Sequence, residues 1–416
     1  MLRDAYDLPI STTDTTARDA YADAVQRLLG GQPGIEAALN RAIAADPTFA
    51  LPHIARARIQ QTLGRGADAR LSAQSAMQLV ASATPRERGH VQALERVVMG
   101  DRQGALSAIE AHLADYPRDV MVLAPTAGVF GLFGFSGQSG REQAVLDFLS
   151  RYRSALDHDW WFLASLAFAQ VELGHIDVAR ANVERALELN PHNANGAHIR
   201  SHVHYEAREA AEGLVWLGNW FATYDRAGYM HCHLGWHMAL WHLELGDEGQ
   251  AWKTYESLVQ PSSADGVGAW GPPLNVLTDA ASFMFRAELA GGNRDLDRWS
   301  KLAEYARTSY PKPGLAFADV HVALCYAMAG NDDALNALIE NAVGPARDLV
   351  AALGRGFAAF ERGDWSTAVD ALLPAAASHE RIGGSRAQRD LIEDALRIAG
   401  LRASRADVSQ LSRHHH

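Results

Sequence analysis

Cysteine is nearly absent. Cys232 and Cys325 are the two in 416 residues, too few for a disulfide framework or a four-thiolate zinc site, and they read as free thiols of a reducing compartment. Positive charge is also short: 38 Lys and Arg stand against 49 Asp and Glu, a net charge of −11. Without a basic stripe, nucleic acid is excluded as an expected partner. No uncharged apolar run is long enough to span a bilayer, and Met1 to Asp4 lacks the apolar core of a signal peptide. A cytoplasmic protein with no membrane partner is expected. Alternating β-branched runs are scarce, which argues against sheet. Neither HExxH, nor Cys-x2-Cys, nor GxSxG occurs, which removes common zinc and serine-hydrolase motifs.

What fills the chain is Ala, Leu, Glu and Arg in segments with apolar spacings of three and four, the pattern of helices. Asp46-Pro47, Tyr116-Pro117, Asn190-Pro191 and Gln260-Pro261 stand 70, 74 and 70 residues apart, a period of about two helical hairpins. The clearest unit runs from Trp160 to Asn193, with Leu166, Ala167, Gly174, Ala179, Ala186 and Pro191 at the landmarks of a tetratricopeptide repeat. Weaker units align on Gly64, Gly100, Gly246, Gly330 and Gly363. The expected fold is all-α: one tetratricopeptide-like α-solenoid over residues 18–400, after an N-terminal extension 1–17 and before a tail 401–416. The final His414, His415 and His416 are either a tag remnant or a native end.

Two segments interrupt the pattern. Residues 127–140 set Gly128, Gly131, Gly134, Gly137 and Gly140 at a spacing of three, too many for a regular helix and without the Gly-Lys-Ser/Thr ending of a phosphate loop. They read as an irregular insert packed on the solenoid. Residues 260–273 form a Pro/Gly-rich loop carrying Trp270, which either joins two halves or covers a groove.

Histidine is the unusual abundance. His198, His202, His204, His231, His233, His237 and His242 crowd one stretch, and His198-x3-His202 is repeated 35 residues later as His233-x3-His237. An i, i+4 pair shares one helix face, so the two pairs are expected side by side on neighbouring first helices. Registered on the tetratricopeptide repeat, His198, His202, Glu206, His233, His237, Glu244 and His321 fall at inward positions. Such a group can move protons, hold a divalent metal, or fill a narrow interior through mutual hydrogen bonds. Trp236, Trp241 and Trp270, among six tryptophans between residues 216 and 270, add the apolar walls of a pocket.

The stretch His231 to Tyr255, with Asn195 to Leu217, Phe317 to Gly330 and Gly383 to Leu396, resembles the proteins related to tetratricopeptide repeat protein 38. That resemblance implies a solenoid curled around a central cavity in which the His-rich stretches gather. Relatives carry a large aromatic where this chain has Gly235, a change expected to enlarge the cavity or loosen the helix. Ser385 reads as a helix N-cap, and the resemblance places Gln388 and Arg389 within reach of the cavity. The resulting expectation is a small-molecule enzyme of hydrolase or lyase type, with His202, His233, His237, His321 and Glu206 catalytic. His198, Trp236, Trp241, Glu244, Trp270, Gln388 and Arg389 would bind the substrate. No cofactor is required, and a divalent metal at the histidines and a homo-oligomer are left open. The competing expectation is a non-catalytic scaffold that clasps a peptide or partner protein; against it stands the lack of Lys and Arg at the inner positions.

Overall fold

The computed structural model describes residues 1–262, 268–405 and 408. Among them there is no strand, only isolated bridges between Arg3 and Pro9 and between Pro261 and Ala269. Residues 263–267 of the loop at 260–273, and residues 406, 407 and 409–416 with the terminal histidines, lie outside the described residues.

Helices pair as antiparallel hairpins, for example Ala50–Thr62 with Gly66–Leu79, Trp160–Glu172 with Ile176–Leu189, and Arg347–Glu361 with Trp365–Ala376. Their ends are written in the sequence. Asp159, Asn193, Asp295 and Asp364 accept hydrogen bonds from the first turns of the helices they precede, removing orphan amide donors. Gly64, Gly100, Gly174, Gly246, Gly330 and Gly363 all take left-handed backbone angles, with φ between 68° and 80°. At Gly174 this lets the following amide of His175 reach back to the Gln170 carbonyl at 2.9 Å, closing the helix as an αL cap does.

First helices stack on first helices. Trp160–Glu172 packs on Ala194–Glu206, His231–Glu244 on Pro273–Leu289, and Pro273–Leu289 on Ala316–Met328. This inner layer is apolar on almost every side: Trp161 to Glu172 are all buried, as are Phe317 to Met328. A helix hydrophobic all round belongs in an interior, and here it lies between the outer helices and the centre of the curl.

Both chain ends close the curl. The first helix, Thr15–Gly30, touches Ala194–Glu206, where Asn195 Nδ2 donates to the Leu29 carbonyl at 2.7 Å and Tyr229 Oη to the Leu28 carbonyl at 3.1 Å. The last helix, Arg386–Arg402, packs on both Ala194–Glu206 and Pro273–Leu289. Tyr205 Oη donates to Asp390 at 2.6 Å, and Arg286 donates to the Ala387 carbonyl. The result is an all-α, tetratricopeptide-like solenoid curled around an interior cavity.

Candidate functional site

His198 and His202 sit one turn apart on Ala194–Glu206, and His233 and His237 one turn apart on His231–Glu244. The neighbouring helices bring the four rings together, with centroids 4.5 Å apart for His198–His202, 4.6 Å for His198–His233, 4.8 Å for His202–His237 and 5.1 Å for His233–His237. All four are buried. His198 Nε2 lies 2.8 Å from His202 Nε2 and 2.9 Å from His233 Nε2.

Asp279, on Pro273–Leu289, fixes this arrangement from behind. Its carboxylate accepts from His233 Nδ1 at 2.8 Å, which turns His233 Nε2 toward His198. Trp236 stacks on the His233 ring, centroids 5.1 Å apart and planes within 12°. Burial first, and the neighbouring imidazoles second, hold His198, His202 and His237 well below the ordinary histidine range; these rings are neutral near pH 7. Burial raises the Asp279 carboxyl, while His233 and the Gln388 amide oppose that rise.

His198, His202 and His233 form part of the wall of a cavity of about 640 Å³, within the size range of ligand pockets. Phe168, Trp161, Tyr229 and Tyr310 supply apolar surface there. The Gly-rich segment, read from sequence as a packed insert, lines the same cavity from Ala127 to Leu132, and Phe130 on its rim is partly exposed. Arg58 and Arg102 are its cations, Gln61, Thr62, Ser165, Asn195, Asn275, Ser385 and Gln388 add neutral polar groups beside the histidines, and no carboxylate occurs among the described lining residues. Arg58 hydrogen bonds to the Gln61 side chain, and Arg102 Nε donates to the Leu132 carbonyl at 2.8 Å. Burial alone moves both guanidiniums, lowering Arg58 to about 10; no anion compensates either, and both stay charged at neutral pH.

The other expected residues scatter. Glu206 is ion-paired with Arg386 at 3.6 Å and does not reach the imidazole group; burial raises it to about 8. His321 donates from Nδ1 to the Phe317 carbonyl at 2.7 Å and packs on the Phe317 ring, apart from the four-histidine group. Trp241 is buried behind His237, ring centroids 5.9 Å apart. Glu244 lines a separate, smaller cavity with Arg286 and Arg397. Trp270 is 57% exposed and lies outside the lining. Arg389 turns away into a buried ion cluster, 2.6 Å from Glu142. Gly235 does not face the cavity either, since a Cβ there would stand 2.7 Å from Leu258 Cβ.

Three contributors escaped sequence reasoning. Asp279 is the lone carboxylate of an apolar run, Leu277 to Phe285, and that was its available signal. Arg58 and Arg102 carry no motif, and their role follows from the curl alone.

No protein-family model matches the chain. Among solved structures it is similar to the human IFIT1 dimer with PPP-AAAA, at 14% identity and a TM-score of 0.45, covering 97% of this chain and 89% of that one. The same dimer with m7Gppp-AAAA aligns at 13% identity and 0.45, over 96% and 88%. The P58(IPK) TPR domain aligns at 13% identity and 0.22, over 95% and 99%. IFIT1 is recorded there with PPP-AAAA and m7Gppp-AAAA; the expected exclusion of nucleic acid is withdrawn, and the small-molecule substrate with it. The physical fault lies in averaging: a net charge of −11 describes the whole chain, whereas the cavity presents two guanidiniums and no described carboxylate. No helix among the described residues is long and apolar enough to cross a membrane.

Proposed function

We propose that the protein is a binding solenoid that takes an acidic peptide segment or the carboxylate end of a partner chain into its interior cavity. One observation carries this reading: Arg58 and Arg102 line the cavity without an ion-pair partner among the described residues, and no described carboxylate lines it. Both guanidiniums are partly buried; a cation withdrawn from water without a counter-ion is unfavourable, and an entering carboxylate relieves that through charge-assisted hydrogen bonds. Apolar walls beside the two cations suit the side chains of a short peptide. The argument against a scaffold, that cations are missing from the inner surface, falls with these two residues.

Acid/base catalysis has less support. Glu206, the expected orienting carboxylate, is held by Arg386, and His321 stands apart. Kinship with the tetratricopeptide repeat protein 38 relatives is part of this proposal and rests on the four His-rich and C-terminal segments. A cytoplasmic location rests on the two buried free thiols.

Fluorescence anisotropy with labelled acidic peptides ending in a free carboxylate tests the reading. Wild type is expected to bind a subset of them, with Arg58→Met and Arg102→Met each weakening binding roughly tenfold or more. An oligonucleotide with a 5′-triphosphate serves as second probe. Tighter binding of that probe, lost in the same variants, would reassign the cavity to nucleic acid; binding of both probes unaffected by the variants would refute the reading.

A further inference from the structure

We propose that His198, His202, His233 and His237 are the ligands of a resident transition-metal ion of the zinc class, with Asp279 orienting His233. The proposal goes beyond the anion reading and does not need it, because it concerns what the protein holds before any partner arrives.

Proton counting makes the case. His233 Nδ1 donates to Asp279 at 2.8 Å, which in the neutral ring leaves Nε2 as a bare lone pair. His198 Nε2 lies within 2.9 Å of both His233 Nε2 and His202 Nε2. If His198 Nε2 carries a proton, it can point at one neighbour and has no lone pair left for the other. If it carries none, it and the neutral His233 Nε2 set lone pair against lone pair. A cation between the nitrogens turns this repulsion into ligation.

The remaining atoms agree. His237 has neither ring nitrogen hydrogen bonded, and His202 Nδ1 is likewise buried without a partner. Leaving such groups unsatisfied is unfavourable, whereas ligation occupies one nitrogen of each ring. One ligand atom from each of the four residues lies within 4.8 Å of the others. Around zinc, at about 2.0–2.1 Å per nitrogen, the closest pairs would move apart by about half an ångström and more distant pairs would draw in.

A carboxylate holding the far nitrogen of a ligating imidazole is the usual support of such sites, and Asp279 stands in that place. Four imidazole ligands favour zinc, copper, nickel, cobalt or iron over calcium or magnesium.

The second buried group of this kind shows the contrast. His90 Nδ1 and His112 Nε2 both meet the Asp119 carboxylate, at 2.9 and 2.8 Å, and Arg86 already supplies a cation at 2.8 Å. There donors meet a carboxylate; in the four-histidine group ring nitrogens meet one another with no carboxylate between them. Three of the four ligands line the cavity, so a molecule entering it reaches the ion.

The test uses the full chain with His414→Ala, His415→Ala and His416→Ala in every sample, so that the terminal histidines contribute no metal. After dialysis, elemental analysis is expected to find about one zinc-class ion per chain, and background levels in His202→Ala and His233→Ala. Asp279→Asn should weaken the site roughly 10–100-fold, while His321→Ala should leave the metal content unchanged. Because an unfolded histidine variant would also lose metal, cobalt(II) is added to metal-stripped wild type, and one equivalent is expected to give the visible absorption of a nitrogen-ligated, low-coordinate ion. Equal metal content in wild type and folded histidine variants, or stripped wild type without that absorption, would overturn the proposal. Arg58→Met should retain the metal, so failure of the metal test and failure of the anion test are read separately.

Discussion

Gly235 shows how little room the His233 helix has on its outer side. A Cβ there would stand 2.7 Å from Leu258 Cβ, a near-backbone atom of the π-helical turn Tyr255–Val259 that cannot swing away. Gly235→Ala is therefore expected to lower stability by about 1–3 kcal/mol through overpacking, read as a lower melting temperature. Glu206 gives a pH signature. Burial raises it from 4.5 to about 8, with Arg386 opposing. The folded protein then keeps a proton that the unfolded chain has lost, so this group makes stability fall as pH rises between about 4.5 and 8. Glu206→Gln cannot ionise and should flatten that fall, raising the melting temperature relative to wild type more at pH 8 than at pH 5. At this scale the four histidines were legible because two i, i+4 pairs recur at the repeat length. Asp279 was not, because its meeting with His233 depends on how two separate helices pack. Glu244 shared the inward register on paper but lies on the last turn of its helix, where it meets another cavity.

Among the elements, the N-terminal segment is fastened by charge. Arg86 bridges Asp4 at 2.9 Å and Asp119 at 2.8 Å, all three buried, and the Ser11 amide donates to Glu87 at 2.9 Å on the same helix. Removing one member of a buried ion network leaves the others uncompensated, so Arg86→Met should cost about 3–5 kcal/mol. Hydrogen exchange over residues 4–11 should rise with it, while the four-histidine group keeps its protection. Helix ends were legible from the caps and glycines, which act within a few residues of themselves. The Gly-rich insert was legible as irregular, but its place on the cavity wall was not. Gly134 shows why its residues are small, since a Cβ there would collide with the Val129 carbonyl.

For the whole molecule, the repeat period announced a solenoid, yet its closure depends on partners far apart in the chain. Arg141 Nη2 donates to the Gly384 carbonyl at 2.6 Å across 243 residues, and Tyr205 donates to Asp390 at 2.6 Å across 185. Closure creates the cavity and gathers Arg58, Arg102 and three of the histidines around it, giving an acidic chain a cavity with cations and no described carboxylate. Tyr205→Phe removes a buried hydrogen bond at the seam and should destabilise by about 1–3 kcal/mol, read in denaturant unfolding. The central claim is that this interior cavity is where the protein works. Ser165, on its wall, allows a direct measurement: Ser165→Trp should fill the space without touching Arg58, Arg102 or the histidines as charges. Titration of this variant with the peptide that binds wild type should show binding lost, with the melting temperature and metal content kept. Unchanged affinity in the folded, filled variant would contradict the account, because the ligand would then be binding elsewhere.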